Sequence, residues 1–338
     1  MIGRLAPLAA AAAGRPELIP FVAPVATIDG LGMAAYAFPI DPDLPTLVAA
    51  SHAATIQRRL ADLLGGDGLA VTLAHYPRRD RCVLRYTTNA GTAYGKLYAG
   101  GRLPDTSLLA GLDGAIAGDI RVPRVLATMH DLEMVLLEGI PGRPLFRFAR
   151  SDGERGEAVD VCAAVAARLH GSPATGAARR IEDEVASLRR EADLMEPLHP
   201  DPRIERWIER SVAIAANTEP LPARLCHGDF TPAQVIGDAD SCGLLDFDDA
   251  AMAEPASDVG RFCAYLGMSA HGDVTLRERF LTGYMKLAGL PQCGRPDLRR
   301  RVTAYQGLAL CRIVLNSRQQ LKAARADRAA AILEEDAG

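Results

Sequence analysis

Apolar and polar residues alternate along several short stretches between residues 69 and 137. Alternation with a period of two is typical of strands with one buried face, and it predicts strands at 69–76, 81–88, 92–98, 124–129 and 133–137. The Asn-Ala-Gly segment at 89–91 suits a hairpin turn. A helix from about Thr106 to Ala117, with Asp105 as a cap, is predicted after the third strand. This region therefore predicts a small antiparallel sheet that carries one helix.

Beyond residue 142 the apolar residues recur at helical spacing, which predicts helices at 154–171, 179–196, 202–217, 257–267, 275–288, 297–317 and 319–334. The only strand-like interruption is 225–249, where two short apolar strands each lead into a loop with a carboxylate. Asp229 follows the first strand and Asp246 ends the second. A turn at 237–241 is predicted to fold the strands back on each other, so that the two acids lie close together. A β-rich part followed by an α-rich part predicts an α+β fold with its boundary at 138–142.

The segment 1–66 forms an extension ahead of the sheet. Helical spacing of apolar residues predicts one helix between Thr46 and Leu64, ended by Gly65 and Gly66. The alanine-rich start resembles a short signal peptide, but we interpret it as a frayed segment.

Composition excludes several classes of protein. About half of the residues are apolar, as in globular proteins, and the net charge of −4 lacks the positive charge typical of nucleic-acid binding. No stretch of about 18 strongly apolar residues occurs, so no membrane segment is expected. The 7 cysteines form no Cys-x-x-Cys pair, which indicates neither a zinc site nor a disulfide framework and favours the cytoplasm.

Lysine is rare in this chain. Of the 38 basic residues only Lys96, Lys286 and Lys322 are lysines, so the chain ahead of Lys286 contains Lys96 alone. A lone lysine on a predicted strand suits a point charge on a phosphate. Phosphoryl transfer from ATP also requires a pair of carboxylates, one that orients the attacking hydroxyl and accepts its proton, and one that holds Mg²⁺. Asp229 and Asp246 are candidates for this pair.

Three segments carry a family resemblance. His227-Gly-Asp229, with Gln234 five residues after Asp229, and then Leu245-Asp-Phe-Asp248 resemble the catalytic loop and metal-binding segment of the aminoglycoside phosphotransferase and choline kinase superfamily. Glu254-Pro-Ala-Ser-Asp258 is similar to the segment that follows in that family. The resemblance implies a protein-kinase-like fold of two lobes, with an extension at 1–66, a nucleotide-binding lobe at 67–138 and a catalytic and substrate-binding lobe at 139–338.

The resemblance also implies roles for single residues. Asp229 is expected to be the catalytic carboxylate, and Asp246 and Gln234 the Mg²⁺ ligands. Lys96 is expected to contact the α- and β-phosphates. The backbone from Glu138 to Ile140 is expected to pair with adenine.

Supporting roles are implied for two residues near the catalytic loop. Asp258 is expected to hold this loop by hydrogen bonds, and His227 to support it without transferring protons. Asp248 is expected either to assist the metal or to face solvent.

The sequence departs from the family pattern at three places. Gln234 stands where the family usually has Asn, which moves the amide oxygen one methylene outward. No glutamate occurs between Lys96 and Glu133, so the usual partner of the lysine is expected to be Asp105, with Asp113 as the second choice. The turn at 77–80 is not glycine-rich, and its Arg78 and Arg79 are interpreted as solvated residues or, alternatively, as phosphate cover.

Other conspicuous residues have structural interpretations. His170 is expected to be a packed or helix-end residue and Trp207 a helix-packing residue. The acidic tail at 334–336 and the charge-mixed helix at 179–196 are expected to face solvent.

The predicted function is an ATP- and Mg²⁺-dependent O-phosphotransferase acting on a hydroxyl of a small molecule, such as an aminoglycoside, another antibiotic or a sugar-like metabolite. The alternatives are a Ser/Thr kinase acting on a peptide and a nucleotide-binding pseudokinase that serves as a partner module. A small-molecule kinase predicts a closed pocket over Asp229, and a peptide kinase predicts an extended groove. No nucleic-acid or membrane partner is expected.

Overall fold

A computed structural model describes residues 2–15, 18–20, 23–28, 33–76, 81–112, 115–116, 120–174, 176–237, 241–270, 274–289 and 295–335 of the chain. The predictions for Arg78, Arg79, Asp113 and the centre of the turn at 237–241 lie outside these residues.

The helices, in chain order, are α1 (Ile2–Ala11), α2 (Leu47–Ala50), α3 (Ala53–Leu64), α4 (Ser107–Gly111), α5 (Leu145–Phe148), α6 (Asp152–His170), α7 (Ile181–Met195), α8 (Arg203–Ala216), α9 (Pro255–Gly267), α10 (Val274–Leu287), α11 (Arg295–Gln319) and α12 (Ala323–Glu335). The strands are β1 (Val25–Ile28), β2 (Met33–Tyr36), β3 (Ala70–His75), β4 (Arg81–Thr87), β5 (Thr92–Tyr98), β6 (Ala115–Ile116), β7 (Ile120–Arg121), β8 (Val125–Met129), β9 (Met134–Glu138), β10 (Arg143–Pro144), β11 (Arg224–Cys226), β12 (Val235–Gly237), β13 (Cys242–Leu244) and β14 (Ala251–Ala253).

The chain divides into two compact units. The first comprises Met1–Ala110 and Pro123–Ile140, and the second Gly111–Val122 and Pro141–Gly338. The sheet of the first unit has the order β3-β4-β5-β9-β8, and all neighbours are antiparallel. This is the small antiparallel sheet that the alternating pattern predicts, and the α+β fold is confirmed.

Part of the extension shares the hydrophobic core of this sheet. Leu47, Ile56 and Leu60 of α2 and α3 are buried together with Leu84 and Leu136 of the sheet. Burial of apolar surface on both sides of this contact stabilises the unit. The extension is therefore packed against the sheet, and is not a separate appendage of the first unit.

The single helix predicted between residues 46 and 64 is wrong, because the chain forms two helices there. The break falls at Ser51 and His52. The Ser51 hydroxyl donates to the Leu47 carbonyl at 2.6 Å, and His52 has the extended backbone of a residue that precedes a helix. A serine hydroxyl that bonds the preceding turn competes with continuation of a helix.

Two further predictions for the N-terminal part of the chain need correction. The start of the chain is not frayed, because α1 packs through Leu5, which is fully buried. The helix predicted to run to Ala117 ends at Gly111, and a short strand, β6, follows at Ala115. Glycine has low helix propensity, which accounts for the early end.

Helix α11 forms the centre of the second unit. It packs against α7, α8, α9 and α12, and Leu308, Cys311 and Val314 along it are fully buried. A helix with apolar residues on most faces is typical of a core position. The predicted helices of this unit are present, with ends shifted by a few residues.

The prediction for the strands around Asp229 and Asp246 is wrong in one respect. The strand before Asp229, β11, pairs with β14, while the strand before Asp246, β13, pairs with β12. The segment 227–234 separates β11 from β12, so the chain leaves one small sheet before it enters the next. The two carboxylates therefore follow strands of different sheets.

The C-terminal tail is partly bound to the protein. Trp207 is buried, as predicted for helix packing, and its indole N–H donates to a carboxylate oxygen of Glu334 at 3.1 Å. Arg206 contacts the same oxygen at 3.4 Å. Glu334 is exposed, as predicted for the acidic tail, and it also contacts α8 through these two residues.

Candidate active site

The carboxylate of Asp258 accepts hydrogen bonds that hold the first residues of the loop that carries Asp229. Asp258 lies in the first turn of α9 and is fully buried. Its carboxylate accepts the backbone N–H of His227 at 2.6 Å and that of Gly228 at 2.9 Å. The expectation that Asp258 holds this loop by hydrogen bonds is confirmed.

His170, the last residue of α6, supports Asp258 from behind. Its Nε2 lies 3.1 Å from Asp258 Oδ2, and its Nδ1 lies 2.8 Å from the Tyr284 hydroxyl. Burial alone would raise the pKa of Asp258, but the hydrogen bond and charge of His170, with the backbone hydrogen bond of His227, hold that pKa below its usual value. His170 is a packed helix-end residue, as predicted, and it also helps to keep Asp258 ionised.

His227 connects the loop of Asp229 to the strand that leads to Asp246. Its Nε2–H donates to the Leu245 carbonyl at 2.7 Å, and its Nδ1 accepts the Asp229 N–H at 3.2 Å. These two bonds require one protonated and one unprotonated ring nitrogen, which is the neutral tautomer. Since both nitrogens are engaged with the backbone, His227 positions the loop, and this agrees with its predicted supporting role.

Gly228 allows the two loops to touch. Its backbone has a φ of +80°, and a Cβ at this position would lie 2.0 Å from the carbonyl oxygen of Asp249. Any other residue would therefore combine an unfavourable backbone conformation with a clash. The glycine before Asp229 is required by this close approach.

Asp246 and Gln234 lie at the same end of the β12–β13 pair. The Leu245 N–H donates to the Gln234 carbonyl at 3.0 Å, which continues the ladder from Val235 and Leu244. Asp246 has a φ of +68°, a conformation that is uncommon for residues with a side chain and is concentrated at functional sites. A carboxylate and an amide oxygen are ligands of the type that Mg²⁺ prefers, so the donor set fits the predicted metal.

The carboxylate of Asp229 is partly buried beside an arginine that the sequence analysis does not single out. Arg261 Nη1 lies 3.3 Å from Asp229 Oδ1. Burial raises the pKa of Asp229, and the nearby charges of Asp246 and Asp249 raise it further, while the charge of Arg261 acts in the opposite direction. The net direction is upward. A carboxylate in such surroundings is suited to accept a proton from a hydroxyl.

A cavity of about 380 Å³ opens beside Asp229. Its basic residues are Arg179, Arg261 and Arg312, and its acidic residues are Asp183, Glu184, Asp229 and Asp249. Glu184 and Glu191 of α7 both pair with Arg312. Exposed residues such as Glu182, Arg189 and Arg190 agree with the solvated face predicted for the charge-mixed helix. The other side of α7 departs from that prediction, because Glu184 and Glu191 form ion pairs with Arg312.

Comparison with known families decides the class of this site. The model of the APH family, described as a phosphotransferase enzyme family, matches residues 83–296, which is more than half of the chain. The protein belongs to this phosphotransferase family. The predicted family and the enzyme class, a phosphotransferase with an alcohol group as acceptor, are thereby confirmed. No curated protein sequence matches the chain.

Solved structures share the fold of this phosphotransferase at low sequence identity. The apoenzyme of macrolide 2′-phosphotransferase MphH from Brachybacterium faecium has 20% identity and a TM-score of 0.53, over 83% of this chain and 97% of that one. APH(2″)-IIIa in complex with GDP and kanamycin has 15% identity and a TM-score of 0.56, over 83% and 97%. Plasmodium vivax ethanolamine kinase has 13% identity and a TM-score of 0.58, over 89% and 95%. These similarities confirm the protein-kinase-like fold.

In this phosphotransferase the residues predicted to bind nucleotide lie in the first unit. Lys96 is buried on the central strand β5, opposite Val83 of β4 and Val135 of β9. Asp105 is exposed, and its Oδ1 accepts the Ser107 N–H at 2.9 Å, a bond that lowers the pKa of Asp105. The pairing of Lys96 with Asp105 stays a prediction.

The predicted adenine-binding segment is partly engaged with its own unit. The N–H of Glu138 donates to the Arg124 carbonyl at 2.9 Å, and the N–H of Gly139 donates to the Thr92 carbonyl at 2.9 Å. The Glu138 side chain accepts two hydrogen bonds from Arg124. The roles of Glu138 and Ile140 toward a nucleotide stay predictions.

Sequence reasoning misses Arg261 and Arg312 as residues of the site. Arg261 lies one turn after Asp258 on α9, and Arg312 lies on α11, far beyond Asp229 along the chain. Arginine is the common basic residue of this chain, so neither position is conspicuous by type. The spacing of Arg261 from Asp258, three residues along one helix, is the only local signal that places it near the loop.

Proposed function

We propose that this protein is an ATP- and Mg²⁺-dependent O-phosphotransferase that phosphorylates a hydroxyl of a polar small molecule in the cytoplasm. The observation that carries the proposal is the arrangement of Asp229 and Asp246 on adjoining loops, with a cavity beside Asp229. A cavity bounded by side chains supports a small acceptor over an extended peptide. The GDP complex of APH(2″)-IIIa supports nucleotide binding and makes GTP the second donor to test.

In the proposed reaction Asp229 accepts a hydrogen bond from the acceptor hydroxyl and orients its oxygen toward the terminal phosphorus of the nucleotide. As the new P–O bond forms and the bond to the bridging oxygen breaks, the proton passes to Asp229 and then to solvent. Arg261 holds the carboxylate in place at 3.3 Å. Transfer of this kind depends mainly on positioning and charge neutralisation, so a strong base is not required.

Two groups of residues would serve the nucleotide. Asp246 and Gln234 would hold Mg²⁺, which supplies neutralisation of the phosphate charge. Lys96 would contact the α- and β-phosphates, and the N–H of Ile140 would pair with the base. Asp258, His170 and His227 would keep the loop in place and take no part in proton transfer.

The test is consumption of ATP and GTP by the purified protein with aminoglycosides, sugars, nucleoside antibiotics and Ser/Thr peptides as acceptors. We expect one class of small acceptor to stimulate nucleotide consumption and Asp229→Ala to abolish that stimulation while nucleotide binding remains. Turnover of peptides alone would contradict the proposal. Nucleotide binding with no turnover in wild type would indicate a pseudokinase.

A further inference from the structure

We infer that the acceptor is a compact polyhydroxylated molecule without basic groups, such as a sugar or a polyol. The inference rests on the proposed function and names its substrate class. It follows from the chemistry of the cavity beside Asp229, which differs from what a polycation or a large apolar ring would require.

The cavity is small and polar. Its volume is about 380 Å³, near the lower end of the range of roughly 300–1,000 Å³ for ligand pockets. Among the described residues that line it, Gly228 is the one without a polar side chain. An apolar macrocycle would find little apolar surface here, so its transfer from water would bring little gain.

The acids of the cavity already have partners. Glu184 lies 3.4 Å from Arg261 and 3.1 Å from Arg312. Asp249 lies 3.5 Å from Arg179, and Asp183 accepts the Arg180 backbone N–H at 2.8 Å. An arginine partner offsets the negative charge of a carboxylate, so an incoming ammonium group gains less from these paired acids than it would from unpaired ones.

The guanidinium groups also oppose added positive charge. The side chains of Arg261 and Arg312 are only 14% and 19% exposed. Charges in such positions are weakly screened by salt. Because Arg179, Arg261 and Arg312 offset most of the negative charge of the carboxylates in the cavity, an ammonium group that enters it meets little net attraction. A polycation therefore gains little here from its charge.

Neutral hydroxyl groups fit the same lining. Ser187, Tyr265 and Asn316 offer hydroxyl and amide groups that both donate and accept hydrogen bonds. Burial raises the pKa of Tyr265, so its hydroxyl stays protonated and can donate at neutral pH. The planar fork of an arginine can donate to two adjacent hydroxyl oxygens. A polyol can therefore be bound while every ion pair remains intact.

The experiment compares matched acceptors that differ by one amino group. Wild-type enzyme with ATP or GTP is assayed with glucose and glucosamine, with other hexoses, pentoses and inositols, and with kanamycin. We expect kcat/KM for the neutral member of a pair to exceed that for its amino counterpart at least tenfold. A higher kcat/KM for kanamycin or for the amino sugars would overturn the inference.

Two variants on α11 separate the charge effect from loss of structure. Arg312→Gln removes a positive charge from the cavity and is expected to raise the ratio of amino-acceptor to neutral-acceptor kcat/KM at least threefold. Arg318→Gln is the matched control, because Arg318 also pairs with an acid, Asp201, but does not line the cavity. It should leave the ratio unchanged. An unchanged ratio in Arg312→Gln, or an equal change in both variants, would overturn the inference.

Hydrolysis of the nucleotide by water distinguishes a wrong acceptor class from a wrong function. If no sugar, polyol or amine is phosphorylated but slow hydrolysis occurs and is lost in Asp229→Asn, the inference on the acceptor is overturned and the proposed function stands. If hydrolysis is the same in wild type and in Asp229→Asn, the proposed function is itself contradicted.

Discussion

Two clusters of charged side chains contact the loop that carries Asp229, and they differ in burial. The first comprises Asp258, which accepts two backbone N–H groups of the loop, and His170, which supports Asp258; both are fully or almost fully buried. The second borders the cavity and comprises Arg261, which contacts the Asp229 side chain, Glu184, which pairs with Arg261, and Arg312, which pairs with Glu184. The buried cluster fixes the loop, and the cluster at the cavity acts on Asp229, the group that we propose accepts the proton.

The difference has an energetic reason. A buried carboxylate must be fully hydrogen-bonded, because a buried charge or N–H without a partner costs several kcal/mol. Such a cluster holds one geometry and tolerates little change. At the cavity wall water can replace a missing partner, so charges there can be altered at smaller cost to folding. Variants of the two clusters should therefore separate stability from activity.

The largest effect is expected from Asp258→Ala. It leaves His170 and two backbone N–H groups without their buried acceptor, and should lower the free energy of unfolding by about 3–5 kcal/mol and abolish activity. Urea unfolding measures the first effect. Asp160→Asn is the control, because the Asp160–Arg279 pair is about half exposed and should change stability by about 0.5 kcal/mol. Equal losses of unfolding free energy in Asp258→Ala and Asp160→Asn would contradict the conclusion that buried charges tolerate less change than exposed ones.

Asp229→Asn should reduce activity without loss of stability. Without the carboxylate the acceptor hydroxyl loses its proton acceptor, and we expect kcat to fall by about 10²–10⁴-fold. Thermal unfolding should occur at or above the wild-type temperature, because a partly buried carboxylate is replaced by a neutral amide. Nucleotide binding, measured by titration calorimetry, should be retained. A variant with near wild-type kcat would disprove the role of Asp229.

Gln234→Ala tests the predicted metal site at the residue that precedes β12. Loss of one oxygen ligand should raise the Mg²⁺ concentration required for half-maximal activity by about tenfold. Gln234→Asn, which restores the residue usual in the family, should have a smaller effect. The measurement is activity as a function of free Mg²⁺. If both variants need the same Mg²⁺ as wild type, Gln234 does not bind the metal.

The smallest effect is the pH dependence of stability, and the two aspartates should show opposite signs. The pKa of Asp258 is lowered in the folded state, so its stabilising contribution is present above its unfolded value of about 3.9 and is lost as pH falls toward the folded pKa. The pKa of Asp229 is raised, so its ionised form destabilises the protein at neutral pH, and this penalty disappears as pH falls through the folded pKa. Urea unfolding from pH 7 down to about pH 3 measures both.

Replacing Asp229 or Asp258 by asparagine removes the contribution of that one carboxyl group to the pH dependence of stability. The stability advantage of Asp229→Asn over wild type should shrink as pH falls below neutral, while the deficit of Asp258→Asn should shrink only below about pH 4. If both differences vary with pH in the same direction over the same range, the assignment of opposite shifts is wrong.

The fold was predictable from local pattern to a large extent. Strands β4 and β5 alternate buried and less buried residues, and the long helices repeat apolar residues at helical spacing, so short windows suffice to recognise them. The predictions are wrong at places where one side chain, or a strand pairing between distant parts of the sequence, determines the local structure. Ser51 divides a predicted helix through its own hydrogen bond, and the pairing of β11 with β14 joins segments that the whole β12–β13 hairpin separates in the sequence.

The sequence by itself determined the family of this protein and the residues on which its predicted chemistry rests: the loop with Asp229, the carboxylate at Asp246 and the unusual Lys96 are all recognisable from residue type and spacing. Only the tertiary structure decided the surroundings of Asp229. It brought Asp258 to His170, 88 residues away, and Arg312 to Glu184, 128 residues away. Helix periodicity shows which residues face inward, but the packing of α7, α9 and α11 selects the charges that meet. The ion pairs that this packing forms at the cavity support our inference about the acceptor.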